Sequence, residues 1–215
     1  MTVTGCAPTG KDLFERAMQV NSTAKEAVAE LQLSLFDGVW DSSVYGEIPD
    51  PCGADGYRFT FSRAKVGSSE DRWRLPQETP KATADDVMGW LDEHGWSGIV
   101  FRSYVGGVTD VTITARKPEV YVDDLLVTIS PGENLDAVAL NITTTCEPGD
   151  ATALFDRMFP DGGWDYTSPL SEHPSAVPFF GMAPDSPTPG PRPDPVTYPE
   201  ATPTPSPSPS SSATP

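Results

Sequence analysis

The chain has 215 residues, and its 31 acidic and 14 basic side chains give a formal net charge of −17. This excess argues against a nucleic-acid binder, because phosphate contacts need clustered Lys and Arg. It also disfavours attachment to anionic membrane surfaces by charge alone. Twelve of the 24 prolines fall between Pro184 and Pro215, which leaves 183 residues with a charge of −15. That length suits one domain with a core of its own.

The N-terminus resembles the end of a bacterial lipoprotein signal, because Val3-Thr4-Gly5-Cys6 places an aliphatic and two small residues before a cysteine. In such signals the cysteine thiol carries diacylglycerol, and several acyl chains such as palmitate hold firmly in a membrane. Only five residues precede Cys6, fewer than a signal peptide needs, so this interpretation expects a longer natural N-terminus or a trimmed form. The alternative is a chance Gly-Cys pair in a disordered N-terminus.

The first predicted element is one long amphipathic helix from Lys11 to Phe36, with Gly38 as its stop. One face carries apolar residues at three- and four-residue steps or their multiples: Phe14, Met18, Val28, Leu31 and Leu35. Residues 57–62 alternate aromatic and polar side chains and predict a half-buried strand. We expect a second helix to open where Thr83 caps the amide of Asp86 and to end near Gly95.

Four further segments have strand character, namely residues 99–105, 108–115, 120–129 and 137–145. Gly106-Gly107 predicts a hairpin turn between the first two. Residues 151–159 are compatible with a short helix. The order of elements predicts an α+β fold, in which a mainly antiparallel sheet of about five strands is covered on one face by two helices.

Three regions follow from this pattern. Residues 1–10 form a lipobox remnant and tether, and residues 11–170 form the α+β domain. Residues 171–215 form a disordered tail rich in Pro, Ser and Thr, which leans towards polyproline conformation. Such a tail could cross wall polymer or carry O-linked sugars, or it could simply be solvated.

The three cysteines divide as one anchor and one pair if Cys6 is lipidated. Cys52 and Cys146 would then form a disulfide that closes a loop of 94 positions, which stabilises by about 4–5 kcal/mol in the chain-entropy model. Such a bridge persists in an oxidising compartment. Two buried thiols are an alternative. A metal site is disfavoured, since Cys-x-x-Cys is absent and His94 and His173 are the only histidines.

The sequence gives no catalytic constellation, since both Gly-x-Ser-x-Gly and a Gly-rich phosphate loop are absent. We expect His94 to cap a helix end and His173 to be solvated. Adjacent acids such as Asp85-Asp86 and Asp123-Asp124 are typical of a solvated surface, and the latter two should point to opposite faces of a strand.

Calcium is the one metal that the acids suggest, but they do not match EF-hand spacing. The oxygen ligands considered are Asp50, Asp55, Asp161 and Asp165. We therefore predict no metal, no cofactor and no enzymatic activity.

Taken together, these features resemble the LppA-like lipoproteins of actinobacteria. The shared features include the Gly-Cys site, a long first helix, a cysteine in the loop after it, and a tail rich in Pro and Thr. The second helix opens with Thr83-Ala84-Asp85-Asp86, and a late strand reads Leu140-Asn141-Ile142-Thr143 before Cys146. The likeness spans most of residues 6–150. It implies a lipid-anchored envelope protein and brings no catalytic residues with it.

The sequence thus predicts a non-enzymatic lipoprotein on the extracytoplasmic face of the cell membrane. Its partners are the membrane, through the N-terminal lipid, and an unknown envelope protein or ligand. A second hypothesis is a carrier for an apolar ligand or lipid, with Trp40, Trp73, Trp90 and Trp96 as candidate pocket residues. A third is a secreted hydrolase that uses Asp or Glu, which predicts a cluster of buried acids.

Overall fold

The structure, a computed structural model, describes residues 10–42, 48–67, 73–77, 79–104, 109–132, 135–158, 171–176 and residue 180. Cys6, the Gly106-Gly107 turn and the Pro-rich tail from residue 181 lie outside these residues. In the described part of the chain, no helix is both long enough and apolar enough to span a membrane. The helices are α1 (Lys11–Leu35), α2 (Pro80–Glu93) and α3 (Ala151–Met158). The strands are β1 (Trp40–Ser42), β2 (Pro49–Cys52), β3 (Gly56–Val66), β4 (Ser97–Ser103), β5 (Val111–Lys117), β6 (Val122–Ser130), β7 (Ala137–Thr144), β8 (Glu147–Pro148) and β9 (Ser171–Glu172).

The strands form an antiparallel sheet in the order β4-β5-β6-β7-β3-β1-β9, with β2 and β8 paired to the first residues of β3. At eleven residues β3 is the longest strand, and its two halves have different neighbours. Residues 56–59 pair with β2, while residues 60–66 pair with β7. This long central strand therefore joins two parts of the sheet.

One face of the sheet is apolar and packs against α1 and α2. Ile113, Val127 and Leu140 lie side by side on β5, β6 and β7 and are fully buried. The alternate positions Thr114 and Asn141 are half-buried or exposed on the other face. The period of two residues along each strand produces this division. The predicted α+β class, with helices on one face of an antiparallel sheet, is confirmed.

A second apolar cluster lies at the start of α1, where this helix meets α3 and the first half of β3. Its buried residues are Leu13, Phe14, Ala17, Val20, Tyr57, Phe59, Ala151, Leu154, Met158 and Phe180. The ring of Phe180 lies 5.2 Å from that of Phe14 and 5.7 Å from that of Phe59. Residues 171–176 and 180, which the sequence assigned to the tail, therefore belong to the packed part of the molecule.

Within the described residues the sheet has nine strands and not about five, and α3 adds a third α-helix where residues 151–159 were compatible with one. The four additional strands, β1, β2, β8 and β9, have only two to four residues each. Such short strands show no alternation of their own and exist because a longer neighbour supplies hydrogen-bond partners. For this reason local patterning missed them.

The helix boundaries also differ from the prediction. The N-cap of α2 is Thr79, whose side chain accepts a hydrogen bond of 3.1 Å from the amide of Ala82, and Pro80 takes the first helical position. Thr83, the predicted cap, is instead buried inside the helix. At the other helix, α1 ends because Phe36 is extended, at φ −160°. Gly38, the predicted stop, faces the Phe36 ring, and a Cβ there would lie 2.3 Å from it.

Candidate functional site

A cavity of about 400 Å³ lies between α1, the second half of β3 and residues 172–176. Lys25, Gln32, Phe61 and Arg63 are buried and form its floor. Exposed or half-buried residues form its mouth and walls: Glu26, Ala29, Glu30, Leu33, Glu172, Pro174, Ser175 and Ala176. The volume lies within the range of small-molecule sites, about 300–1,000 Å³.

The period of β3 places a cation on the buried face of the sheet. Tyr57, Phe59 and Phe61 alternate along one face, and the same period continues to Arg63, which pairs across the sheet with Leu140. Only 2% of Arg63 is exposed. From the opposite side, α1 contributes Lys25 and Gln32, which are two helical turns apart and therefore share one face.

The guanidinium of Arg63 is held by three oxygen contacts. Its Nε donates a 2.7 Å hydrogen bond to Oε1 of Glu172, and Nη2 contacts the same oxygen at 2.5 Å. Its Nη1 donates to the carbonyl of Ser62 at 2.9 Å. The group also lies 5.4 Å from the centroid of the Phe61 ring. A buried charge needs this kind of pairing, so Glu172 ties the segment after residue 170 to the sheet.

Gln32 is the exception to this pairing. It is 3% exposed, and among the described residues its Nε2 donor has no hydrogen-bond partner. A buried donor without an acceptor costs about 1–3 kcal/mol. Because Gln32 lines the cavity, a bound molecule that offers an acceptor would remove this cost. Gln32 therefore leaves an unused hydrogen-bond donor at the floor of the cavity.

Sequence reasoning missed the residues that form this cavity. The signal that could have found Arg63 is the alternation of residues 57–61, which extends without a break to positions 63 and 65. Lys65 is likewise buried, with Nζ 4.4 Å from the centroid of the Phe36 ring. Lys25 and Gln32 carry no such signal, because polar residues on a helix usually face solvent.

The predicted cysteine pair comes together. The sulfurs of Cys52 and Cys146 lie 2.08 Å apart and their Cα atoms 5.9 Å apart, so this pair forms a disulfide between the end of β2 and the residue before β8. Gly56 beside it has to be glycine, because a Cβ there would lie 2.7 Å from the Cys146 sulfur and from the Cys52 carbonyl oxygen. The third cysteine, Cys6, lies outside the described residues.

A polar cluster lies next to this disulfide. Arg16 Nη2 donates to Glu147 Oε2 at 2.9 Å, and Thr145 Oγ1 donates to Glu147 Oε1 at the same distance. Burial, followed by the Glu147 carboxylate, raises the pKa of the Tyr57 hydroxyl above its ordinary value of 10. That hydroxyl has no hydrogen-bond partner within the described part of the chain.

The two histidines have local contacts. His94 follows α2, stacks on Trp90 at 3.8 Å between ring centroids, and places Nδ1 2.7 Å from the Trp90 carbonyl. This is the predicted capping role. His173 was expected to be solvated, and 41% of its side chain is exposed; in addition its Nε2 lies 3.3 Å from Asp37 and its Nδ1 accepts from the amide of Ser175. It therefore helps to fix the segment that borders the cavity.

The four candidate tryptophans do not line the cavity. Trp40 and Trp96 are buried in the apolar core, and Trp73 and Trp90 pack against it. The ring nitrogen of Trp40 donates to the carbonyl of Phe36 at 3.1 Å. Their role in the described structure is therefore core packing.

The acidic pairs have structural contacts or face solvent. Asp85 accepts from Lys81 one turn earlier in α2, and Asp86 accepts from Gln77. Asp123 and Asp124 are both exposed and do not alternate, because a bulge in β6 inserts Asp123 between paired residues.

No group of three His, Cys, Asp or Glu residues suited to a metal occurs in the described ranges. Asp50 and Asp55 lie within those ranges, whereas Asp161 and Asp165 lie outside them. The buried acid Asp136 accepts from the amides of Leu75 and Gly132, at 3.0 and 3.1 Å. These bonds give it a structural role between two loops.

No protein-family model matches the chain. No curated protein matches it either. Among solved structures, the chain is similar to a DUF4853 family protein from Actinomyces odontolyticus, with 14% identity and a TM-score of 0.33. The match covers 63% of this chain and 66% of that protein, slightly less than two thirds of its length.

Proposed function

We propose that the protein is a lipid-anchored lipoprotein of the cell envelope whose α+β domain binds a ligand or partner on the extracytoplasmic face. The single observation that carries this proposal is the Cys52–Cys146 disulfide. Disulfides persist in oxidising compartments and are rare in the cytosol. With two of the three cysteines paired, Cys6 stays available for lipid. The resemblance to LppA-like lipoproteins supports the same conclusion.

A binding role, rather than catalysis, is supported by the cavity beside α1. The polar groups that it presents are an amide donor, two cations and carboxylates. Arg63 and Glu172 satisfy one another, so neither is poised as a nucleophile or a general base. The runner-up proposal, a carrier for an apolar ligand, meets an obstacle here, because an apolar group against Gln32 would leave its donor without a partner.

The anchor is tested by metabolic labelling with an alkyne analogue of palmitate, using the gene with its natural upstream DNA in the organism of origin. We expect label on the wild-type protein and none on Cys6→Ala. Cys52→Ala is the matched control, because it removes a cysteine of the domain and should keep the label. Label that survives in Cys6→Ala, or no label on the wild type, would contradict the proposal.

The disulfide is tested by a separate experiment. Protein extracted from cells with its thiols blocked should show one bridge between Cys52 and Cys146 by peptide mass spectrometry. Two free thiols at these positions in freshly extracted protein would remove the observation on which the location depends.

A further inference from the structure

We infer that the cavity between α1, β3 and residues 172–176 binds a small zwitterion, a free amino acid or a short peptide, with its carboxylate on the floor and its ammonium at the mouth. This inference rests on the proposed binding function of the domain and names its class of ligand. Three features of the cavity lead to it: the donors of its floor, the acids of its mouth and the apolar walls between them.

The floor favours an acceptor with negative charge. Gln32 provides a buried donor that no described residue uses. Lys25, which is 5% exposed, adds positive charge to the same end of the cavity, where the charge of Arg63 is balanced by Glu172. Hydrogen bonds between a carboxylate and buried donors are roughly twice as strong as neutral ones. A carboxylate is therefore the group that this floor recognises best.

The mouth favours the opposite charge. Glu26 and Glu30 are exposed, lie one helical turn apart on α1 and line the same opening. A purely anionic ligand would meet these acids on entry, in a protein whose net charge is −17. An ammonium at this end would be attracted instead.

The walls between the two ends are small and apolar. Ala29 and Leu33 on α1 line the cavity on one side and Pro174 on the other, with Phe61 at the floor. They fit a short aliphatic side chain or a peptide backbone flanked by methyl groups. A molecule that carries both charges, separated by an apolar body, matches all three zones at once.

The binding test is a titration of the full chain, labelled with ¹⁵N, followed by two-dimensional NMR. The probes are L-leucine, L-alanyl-L-leucine, the same dipeptide acetylated at its N-terminus and amidated at its C-terminus, and maltose. We expect a free zwitterion to bind with Kd below about 1 mM and the blocked dipeptide at least about tenfold more weakly. Equal binding of the blocked dipeptide, binding of maltose alone, or no binding of any probe would overturn the inference.

Two replacements on α1 form a matched pair for the floor. Asn21→Leu removes a buried amide that has no partner among the described residues, and Gln32→Met removes a buried Nε2 donor that has none, so neither is expected to destabilise the fold. Only Gln32 lines the cavity, and Asn21 lies about 16 Å away along the helix. Gln32→Met should weaken zwitterion binding about tenfold, and Asn21→Leu should leave it unchanged.

The mouth is tested with surface residues, which avoids any question of folding. The double replacement Glu26→Gln with Glu30→Gln should weaken the binding of the zwitterions and leave the binding of the blocked dipeptide unchanged. Full-strength binding in both this variant and Gln32→Met would overturn the assignment of the two ends. Because the titration uses purified protein, its failure would leave the labelling of Cys6 unaffected, and the reverse also holds.

Discussion

The two halves of β3 share one buried face but have different surroundings. In the first half, Tyr57 and Phe59 are fully buried in an apolar cluster beside the disulfide. In the second half, Arg63 takes the next position but one after Phe61 and lines a cavity. The comparison teaches that burial alone does not define a role. The aromatic residues on this face pack in the apolar core, whereas Arg63 on the same face makes polar contacts.

The largest expected effect on stability comes from the loss of the disulfide, which lies beside the first half of β3. Cys52→Ala with Cys146→Ala should lower the free energy of unfolding by about 4 kcal/mol, because the unfolded chain regains the entropy of a long loop. Guanidinium denaturation measures this free energy in the wild type and in the double variant. Reductant should add nothing further to the double variant. Equal stability with and without the bridge would show that the first half of β3 does not depend on it.

At the second half, Glu172→Ala removes the carboxylate that both Nε and Nη2 of Arg63 contact. The free energy of unfolding should fall by about 2–3 kcal/mol, since breaking a buried ion pair from one side is costly. The matched control is Glu30→Ala, an exposed acid at the same cavity, which should change stability by less than about 0.5 kcal/mol. Equal effects would mean that the Arg63 pair contributes no more than a surface charge.

A smaller effect tests the first half without touching its aromatic residues. The backbone amide of Phe59 donates to Thr144 Oγ1 at 2.8 Å inside the core. Thr144→Val should cost about 1–2 kcal/mol, because that amide loses its acceptor and stays buried. Thermal unfolding measures the loss. Thr143→Val, one residue earlier on the less buried face of β7, serves as the control. A Thr143 variant as unstable as the Thr144 variant would argue against the hydrogen bond as the cause.

The smallest effect concerns pH. The pKa of Tyr57 is raised in the folded protein above its ordinary value of 10. Above pH 10 the hydroxyl therefore ionises first in the unfolded chain, and stability is lost as the pH rises through the folded pKa. Tyr57→Phe should have the same stability or slightly more at pH 7, and a flatter decline of the unfolding free energy above pH 10. Parallel declines in the two proteins would rule out Tyr57 as a contributor.

The sequence predicted the long elements of this fold well. Residues 11–36 were predicted as a helix and α1 spans Lys11–Leu35, while the alternation of Val138, Leu140 and Ile142 marks the buried face of β7. Each long segment carries its own period, which local reasoning can see. The cavity could not be predicted in this way. Its floor combines two residues of α1 with two residues of β3, and the two pairs are roughly 30 or more positions apart in the sequence.

By itself, the sequence determined the α+β class, the antiparallel character of the sheet and the order of its long helices and strands, and it favoured the Cys52–Cys146 pairing over two buried thiols. These depend on local periodicity and on an odd count of cysteines. Only the tertiary structure decided that Arg63 is buried, that Glu172 reaches it across 109 positions, and that Gln32 faces a cavity. A polar residue shows its role only through the neighbours that it meets after folding, because the same side chain is stable in water, in an ion pair or against a ligand.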